Sequence, residues 1–272
     1  VALALIFTFG LLVTGWLLGE PAWRAWQRRR ITARPFPSAW RAVLMRRMPL
    51  YRRLPPPLQA QLRRLVQVFL AEKTFIGCQG QRITDEVRVL VAAQAALLQL
   101  NRRTDHFATL RQVLVYPGAF LVQRVHTAAG GVLQDRRQAL SGESWSQGQV
   151  ILSWDDVLAG AADPGDGRNV VLHEFAHQLD QATGSANGAP ALPGRSRRGR
   201  WKQVMQAAYD DLLRRHAVGE PTVLNPYGTT DAAEFFAVAT EAFFEQPHAL
   251  AADSPALYAE LALYYHVDPR HW

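Results

Sequence analysis

The sequence contains a single cysteine, Cys78, so no disulfide can form within the chain. That excludes a disulfide-stapled scaffold and suits a reducing compartment. Cys78 lies between Gly77 and Gln79 in an apolar stretch and reads as a small buried residue, not a nucleophile. Charge is sparse: Asp, Glu, Lys and Arg together make up 19% of the residues, too few for a disordered chain. There are no internal repeats and no low-complexity block. The basic stretch Arg195, Arg197, Arg198, Arg200 and Lys202 lacks the interleaved aromatics of a single-strand binder, which argues against direct nucleic-acid binding. It reads as a solvated Gly/Pro-rich surface loop.

What is present is apolar material. Apolar residues form 49% of the 272, enough to bury a full core. The net charge is +7, and many arginines (Arg24, Arg28, Arg29, Arg30, Arg34) follow an uncharged, mostly apolar run from Val1 to Gly19. About 20 such residues suffice to cross a bilayer. A secretory signal would carry its basic residues before the run and a small-residue cleavage site after it, and Glu20-Pro21-Ala22-Trp23 is a poor one. The expectation is therefore a transmembrane anchor over 1–19 and a basic juxtamembrane linker over 20–35. A domain over 36–272 follows, placed in the cytoplasm by the positive-inside rule, with a chain free in the cytoplasm as the alternative.

Beyond the linker, Ser38 is a plausible cap for a helix to about Met48. Pro55-Pro56-Pro57 opens another, with an apolar stripe through Leu58, Leu62, Leu65, Val66 and Phe69. Thr84 or Asp85 caps an apolar helix reaching Leu100. Val113–Tyr116 and Phe120–Val125 read as strands that pair or form one interrupted strand, and Gly148–Trp154 as a third. The predicted fold class is α+β: a mostly helical single domain with a small sheet just ahead of a buried helix that, with the residues below, makes the domain zincin-like.

That helix carries His173-Glu174-Phe175-Ala176-His177, with Asp166 or Asn169 to cap it and Gly184 to end it. Histidines four residues apart lie on one face, one turn apart, and both can reach one ion at about 2.0 Å. Glu174 leans to the same side, where it can accept a proton from an activated water and return it to a leaving amine. The helix is apolar almost all round, so it is buried, and buried histidines need partners that a metal supplies. The third-histidine pattern of the metzincins is excluded, since position 183 is Thr183. Asp180, on the same face, suits orientation of a histidine N–H. Downstream, Asn225 to Asp231 is a loop capping a helix through Glu234, Val238, Glu241 and Glu245. Glu234 and Glu241 both satisfy the spacing for a third ligand, and composition leaves both open.

The His173 to Asp180 helix and the Asn225 to Ala237 segment, with Ser144 to Leu158 and more loosely Thr84 to Leu98, resemble the Mlc titration factor A family over most of residues 36 to 270. The resemblance implies a zinc metallopeptidase with aminopeptidase activity. It implies zinc ligands at His173, His177 and Glu234, and Glu174 as the base. Tyr227 matches a tyrosine that the family shares with the catalytic domain of anthrax lethal factor, where a phenol can donate to an oxyanion. The expected partner is a peptide or protein substrate, aligned as an added strand along Val150 to Ser153. A regulatory protein partner, also implied by the family, is the alternative: a membrane-tethered binding module with structural zinc or vestigial activity. Which residue would hold a substrate's free amine is open. Asp155 and Asp156 qualify only as an acidic pair close by in chain order.

Overall fold

The β-branched runs on either side of residue 130 become neighbouring strands of one small sheet. The computed structural model describes residues 19–102, 106–127, 133–140, 142–145, 148–182 and 184–272. Helices come first: α1 (19–32), α2 (Ser38–Arg47), α3 (Pro49–Arg53) and α4 (Pro56–Glu72). Strand β1 (Thr74–Gly77), helix α5 (Asp85–Leu97) and strand β2 (Gln112–Tyr116) form a parallel crossover. Strands β3 (Phe120–Thr127) and β4 (Leu133–Leu140) make an antiparallel hairpin, and β5 (Gly142–Trp145) and β6 (Gln149–Ser153) complete the main sheet. Helices α6 (Trp154–Ala162), α7 (Val170–Gln181), α8 (Gly194–Ala217), α9 (Ala232–Glu245), α10 (Pro247–Asp253) and α11 (Pro255–Tyr265) follow. The result is the expected α+β class, mostly helical with a small sheet.

The main sheet has the order β1-β2-β6-β5, with β1–β2 and β2–β6 parallel and β6–β5 antiparallel. Two strand expectations are corrected. The segment from Phe120 pairs with β4, not with β2. Strand β6 is flanked on both sides, so Val150 to Ser153 offers no free edge to a substrate; the edge strand on that side is β5. Thr84, Ser153, Asn169 and Asp231 are the N-caps of α5, α6, α7 and α9, each accepting a backbone N–H with its side-chain oxygen. Ser38 is instead the first residue of α2, after Pro37. Helix α5 is buried along nearly its whole length. The rings of Phe69 from α4 and Phe107 close on Phe175 at 5.7 and 4.9 Å, holding the apolar back of α7.

The expected membrane location is overturned. Among the described residues no helix is long and apolar enough to cross a membrane. Of the expected anchor, residues 1–18 lie outside the described residues. Helix α1 carries Glu20, Arg24 and Arg28 to Arg30, and it is tied back to α4: Arg28 pairs with Glu72 at 2.6 Å, and Gln67 donates to the carbonyl of Arg34 at 2.9 Å. A membrane contact through an N-terminal helix is accordingly not supported. The basic stretch 195–202 is also corrected: it is the first two turns of α8, not a loop. Arg197 and Arg200 both pair with Glu260, whose side chain is fully buried in α11, and Trp201 donates its indole N–H to the carbonyl of Gly188.

Candidate metal centre

Helices α7 and α9 pack face to face with a polar stripe between them. On α7 the stripe is Asn169, His173 and His177, four residues apart; on α9 it is Glu234, Glu241 and Glu245. The contacts run in opposite senses. His177 and His173 meet Glu234, His173 also meets Glu241, and Asn169 meets Glu241 and Glu245. The helices are therefore antiparallel across the site. Phe235, Phe236, Phe243 and Phe244 fill the buried sides of α9 away from this stripe.

Three donor atoms converge at one end of the stripe. His173 Nε2 lies 2.9 Å from Glu234 Oε2 and 3.2 Å from His177 Nε2, and His177 Nε2 lies 3.5 Å from Glu234 Oε2. Ligands on a tetrahedral ion with bonds of about 2.0–2.1 Å stand about 3.3 Å apart, so the triangle has the size of one face of a zinc tetrahedron. The electrostatics agree. Burial opposes protonation of His173, but Glu234 and Glu241 outweigh it and push its pKa well above that of an ordinary imidazole. Burial likewise opposes charge on Glu234, yet His173 and His177 hold its carboxyl well below the usual carboxylate range. A field that draws an extra proton into the triangle also favours a cation there. These residues fit a divalent metal.

The surroundings fix the ligands. His173 Nδ1 donates to Glu241 Oε1 at 2.7 Å, which leaves Nε2 as the lone-pair nitrogen facing the triangle. Glu241 Oε2 accepts the backbone N–H of Asn169 at 2.6 Å. Asn169 caps α7 through Oδ1, and its Nδ2 donates to Gln94 Oε1 and Glu245 Oε1. Burial, only partly offset by that bond from Asn169, pushes the Glu245 carboxyl up to about 8. Glu241, one of two candidates for the third ligand, is thus on the far side of the imidazole from the triangle. Glu234 carries the converging oxygen. Asp231 accepts the N–H groups of Ala233 and Glu234, but the Glu234 side chain turns to the histidines instead of closing a capping box. Asp180 Oδ2 accepts from Asn187 and Gly188 at 2.8 and 2.7 Å and fixes the turn after α7.

His173, Glu174 and Tyr227 line a cleft of about 540 Å³ together with Gly142, Asp156 and Asp166. Glu174 is only 5% exposed, and Tyr227, on the 3-10 turn Pro226–Thr229, is 45% exposed at the rim, its ring 6.0 Å from that of His173. Gly142 of β5 is a site residue that the sequence did not signal. A β-carbon there would lie 2.5 Å from Glu174 Oε1 and 2.7 Å from Val170 Cγ2. Asn169 was legible only as a cap, and the position of Glu241 depends on helix packing that no spacing reveals.

Two histidines, His177 buried and His173 half-buried, and a glutamate converging beside a second glutamate are a metallopeptidase-type centre. The chain belongs to the family described as glucose-regulated metallo-peptidase M90, whose model matches residues 23–266. It is 39% identical over 267 residues to the uncharacterized protein slr2042 of Synechocystis sp., covering 98% of this chain and 97% of that one. It is 33% identical over 225 residues to Mlc titration factor A of Klebsiella pneumoniae (82% of this chain, 84% of the relative), and 33% identical over 235 residues to that of Pectobacterium atrosepticum (85% and 86%).

Proposed function

We propose that this chain is a zinc-dependent peptidase acting as an aminopeptidase, with His173, His177 and Glu234 as the zinc ligands. The observation that carries the reading is the donor triangle, whose His173 lines the same cleft as Glu174. Two histidines and one glutamate are a donor set of catalytic zinc sites, which keep a position open; structural sites use four protein ligands. Among the described residues this group has three. Zinc held by these three side chains would supply Lewis acidity to the peptide carbonyl and to a water. Glu174 accepts the proton of the attacking water on its carboxylate and delivers it to the leaving nitrogen. Tyr227 donates its phenolic proton to the carbonyl oxygen as negative charge builds. Glu241 keeps His173 in one tautomer and one orientation. Among the described residues the outer edge of β5 pairs with no strand, and it is the place for a substrate strand, since its Gly142 lies against Glu174.

The name of the Klebsiella and Pectobacterium relatives favours a second reading, in which this chain binds a regulator such as Mlc and its metal is structural or its activity vestigial. Hydrolysis of fluorogenic aminoacyl and N-blocked peptides by the full chain separates the two. The expected result is cleavage abolished by a chelator and restored by zinc. No cleavage by protein holding one zinc per chain sinks the peptidase reading in favour of the binding role.

A further inference from the structure

Helix α6 turns one face to the catalytic cleft. Asp156, Ala159 and Gly160 line it, at the i, i+3, i+4 spacing of a single helical stripe. Gly160 is where α6 meets the metal-binding helix: a β-carbon there would lie 3.0 Å from Asn169 Cα. Asp156 stands one turn back along the same stripe. Ala159 and Gly160 bring no polar side chain, so Asp156 is the charged group of that wall.

The other carboxylates lining the cleft are engaged. Glu174 is the proposed base, Glu241 holds His173 and the Asn169 N–H, and Asp166 Oδ1 accepts the N–H of Arg168 at 2.8 Å. Asp156 is half-buried, and among the described residues its carboxylate meets no cation and no hydrogen-bond donor. Its neighbour Asp155 is not among the cleft-lining residues; its Oδ2 lies 3.2 Å from where a β-carbon on Gly118 would be. An unengaged carboxylate in the cleft wall of a net-basic chain is complementary to a cation. An N-terminal ammonium, charged below about pH 7.7–8.0, is the cation that a peptide always brings.

We propose that Asp156 is the amine anchor: its carboxylate accepts a hydrogen bond from the ammonium group of the substrate's first residue and makes cleavage start from a free N-terminus. The inference rests on the peptidase reading above and names the specificity determinant of that same site. The competing role for Asp156 is purely structural. Asp155 and Asp156 both sit in the first turn of α6, where acidic residues favour the helix dipole. Asp155 therefore provides the matched control.

The test compares the full zinc-loaded chain with Asp156→Asn and Asp155→Asn on an alanyl fluorogenic amide and its N-acetylated counterpart, with melting temperature and zinc content measured alongside. Wild type should prefer the free amine. Asp156→Asn should lose roughly 10- to 100-fold in kcat/KM on it, mostly through KM, as expected for a lost charge-assisted hydrogen bond. Asp155→Asn should keep wild-type kinetics at a similar melting temperature. If the Asn variant melts early, Asp156→Ser carries the same comparison. Wild-type kinetics in Asp156→Asn, or an equal loss in Asp155→Asn, overturns the anchor. Equal cleavage of both substrates by wild type overturns it too and leaves the peptidase standing. Cleavage of neither overturns the peptidase reading and this inference with it.

Discussion

Glu174 is set by a residue that has no side chain. Gly142 lies against Glu174 Oε1 and Cγ, so the proposed base is pinned between the edge of the sheet and α7. Gly142→Ala should displace Glu174, lowering kcat by 10-fold or more while zinc content stays at one per chain. Unchanged kcat would mean that the base is positioned by something else. The histidines and glutamate of the motif were legible in the sequence because their spacing is local to one helix. The choice between Glu234 and Glu241 was not. Both lie on the same face of α9, and only the antiparallel register against α7 puts one oxygen in the triangle and the other on His173 Nδ1.

At the scale of elements, the centre is the packing of α7 on α9 with a hydrogen-bonded polar seam. Glu245 closes that seam, held in the protonated form by burial up to about pH 8. In the unfolded chain it ionises near pH 4.3. Between those values unfolding releases a proton, so the folded state loses stability as pH rises. Glu245→Gln keeps the oxygen that accepts from Asn169 and cannot ionise. Its stability relative to wild type in denaturant titrations should grow from pH 5 to pH 8, by up to a few kcal/mol; a difference that stays flat with pH would contradict this. Elements with a clear apolar period, α4, α5, β2 and β6, were readable from sequence. The first turns of α8 were not, because Gly194, Gly199 and the arginines hide the period. That helix is held by Trp201, Met205 and Leu212 in the core and by the buried partner Glu260. Strand β4 was missed for a related reason: its run Leu133–Leu140 carries Asp135, Arg136 and Arg137 and lacks an apolar face.

Across the whole molecule, charge is divided by location. The chain is net basic, yet the cleft beside the metal ligands is lined by Asp156, Asp166, Glu174 and Glu241 against Arg168. An acidic pocket in a basic protein favours a cation twice over, first the metal and then the end of a peptide. Because α7 and α9 bring their ligands from distant parts of the sequence, metal binding should stabilise the entire fold. With free zinc near 100 times its Kd, removal by a chelator should lower Tm by roughly 5–10 °C. An unchanged Tm would mean that the metal does not bridge the two helices.

The central claim is that Glu174 works as a base beside a zinc held by three other side chains. The most direct measurement is zinc content and peptide turnover of Glu174→Gln in parallel. The account predicts one zinc per chain, as in wild type, with kcat reduced about 10²- to 10⁴-fold. Turnover at the wild-type rate with zinc bound would contradict it.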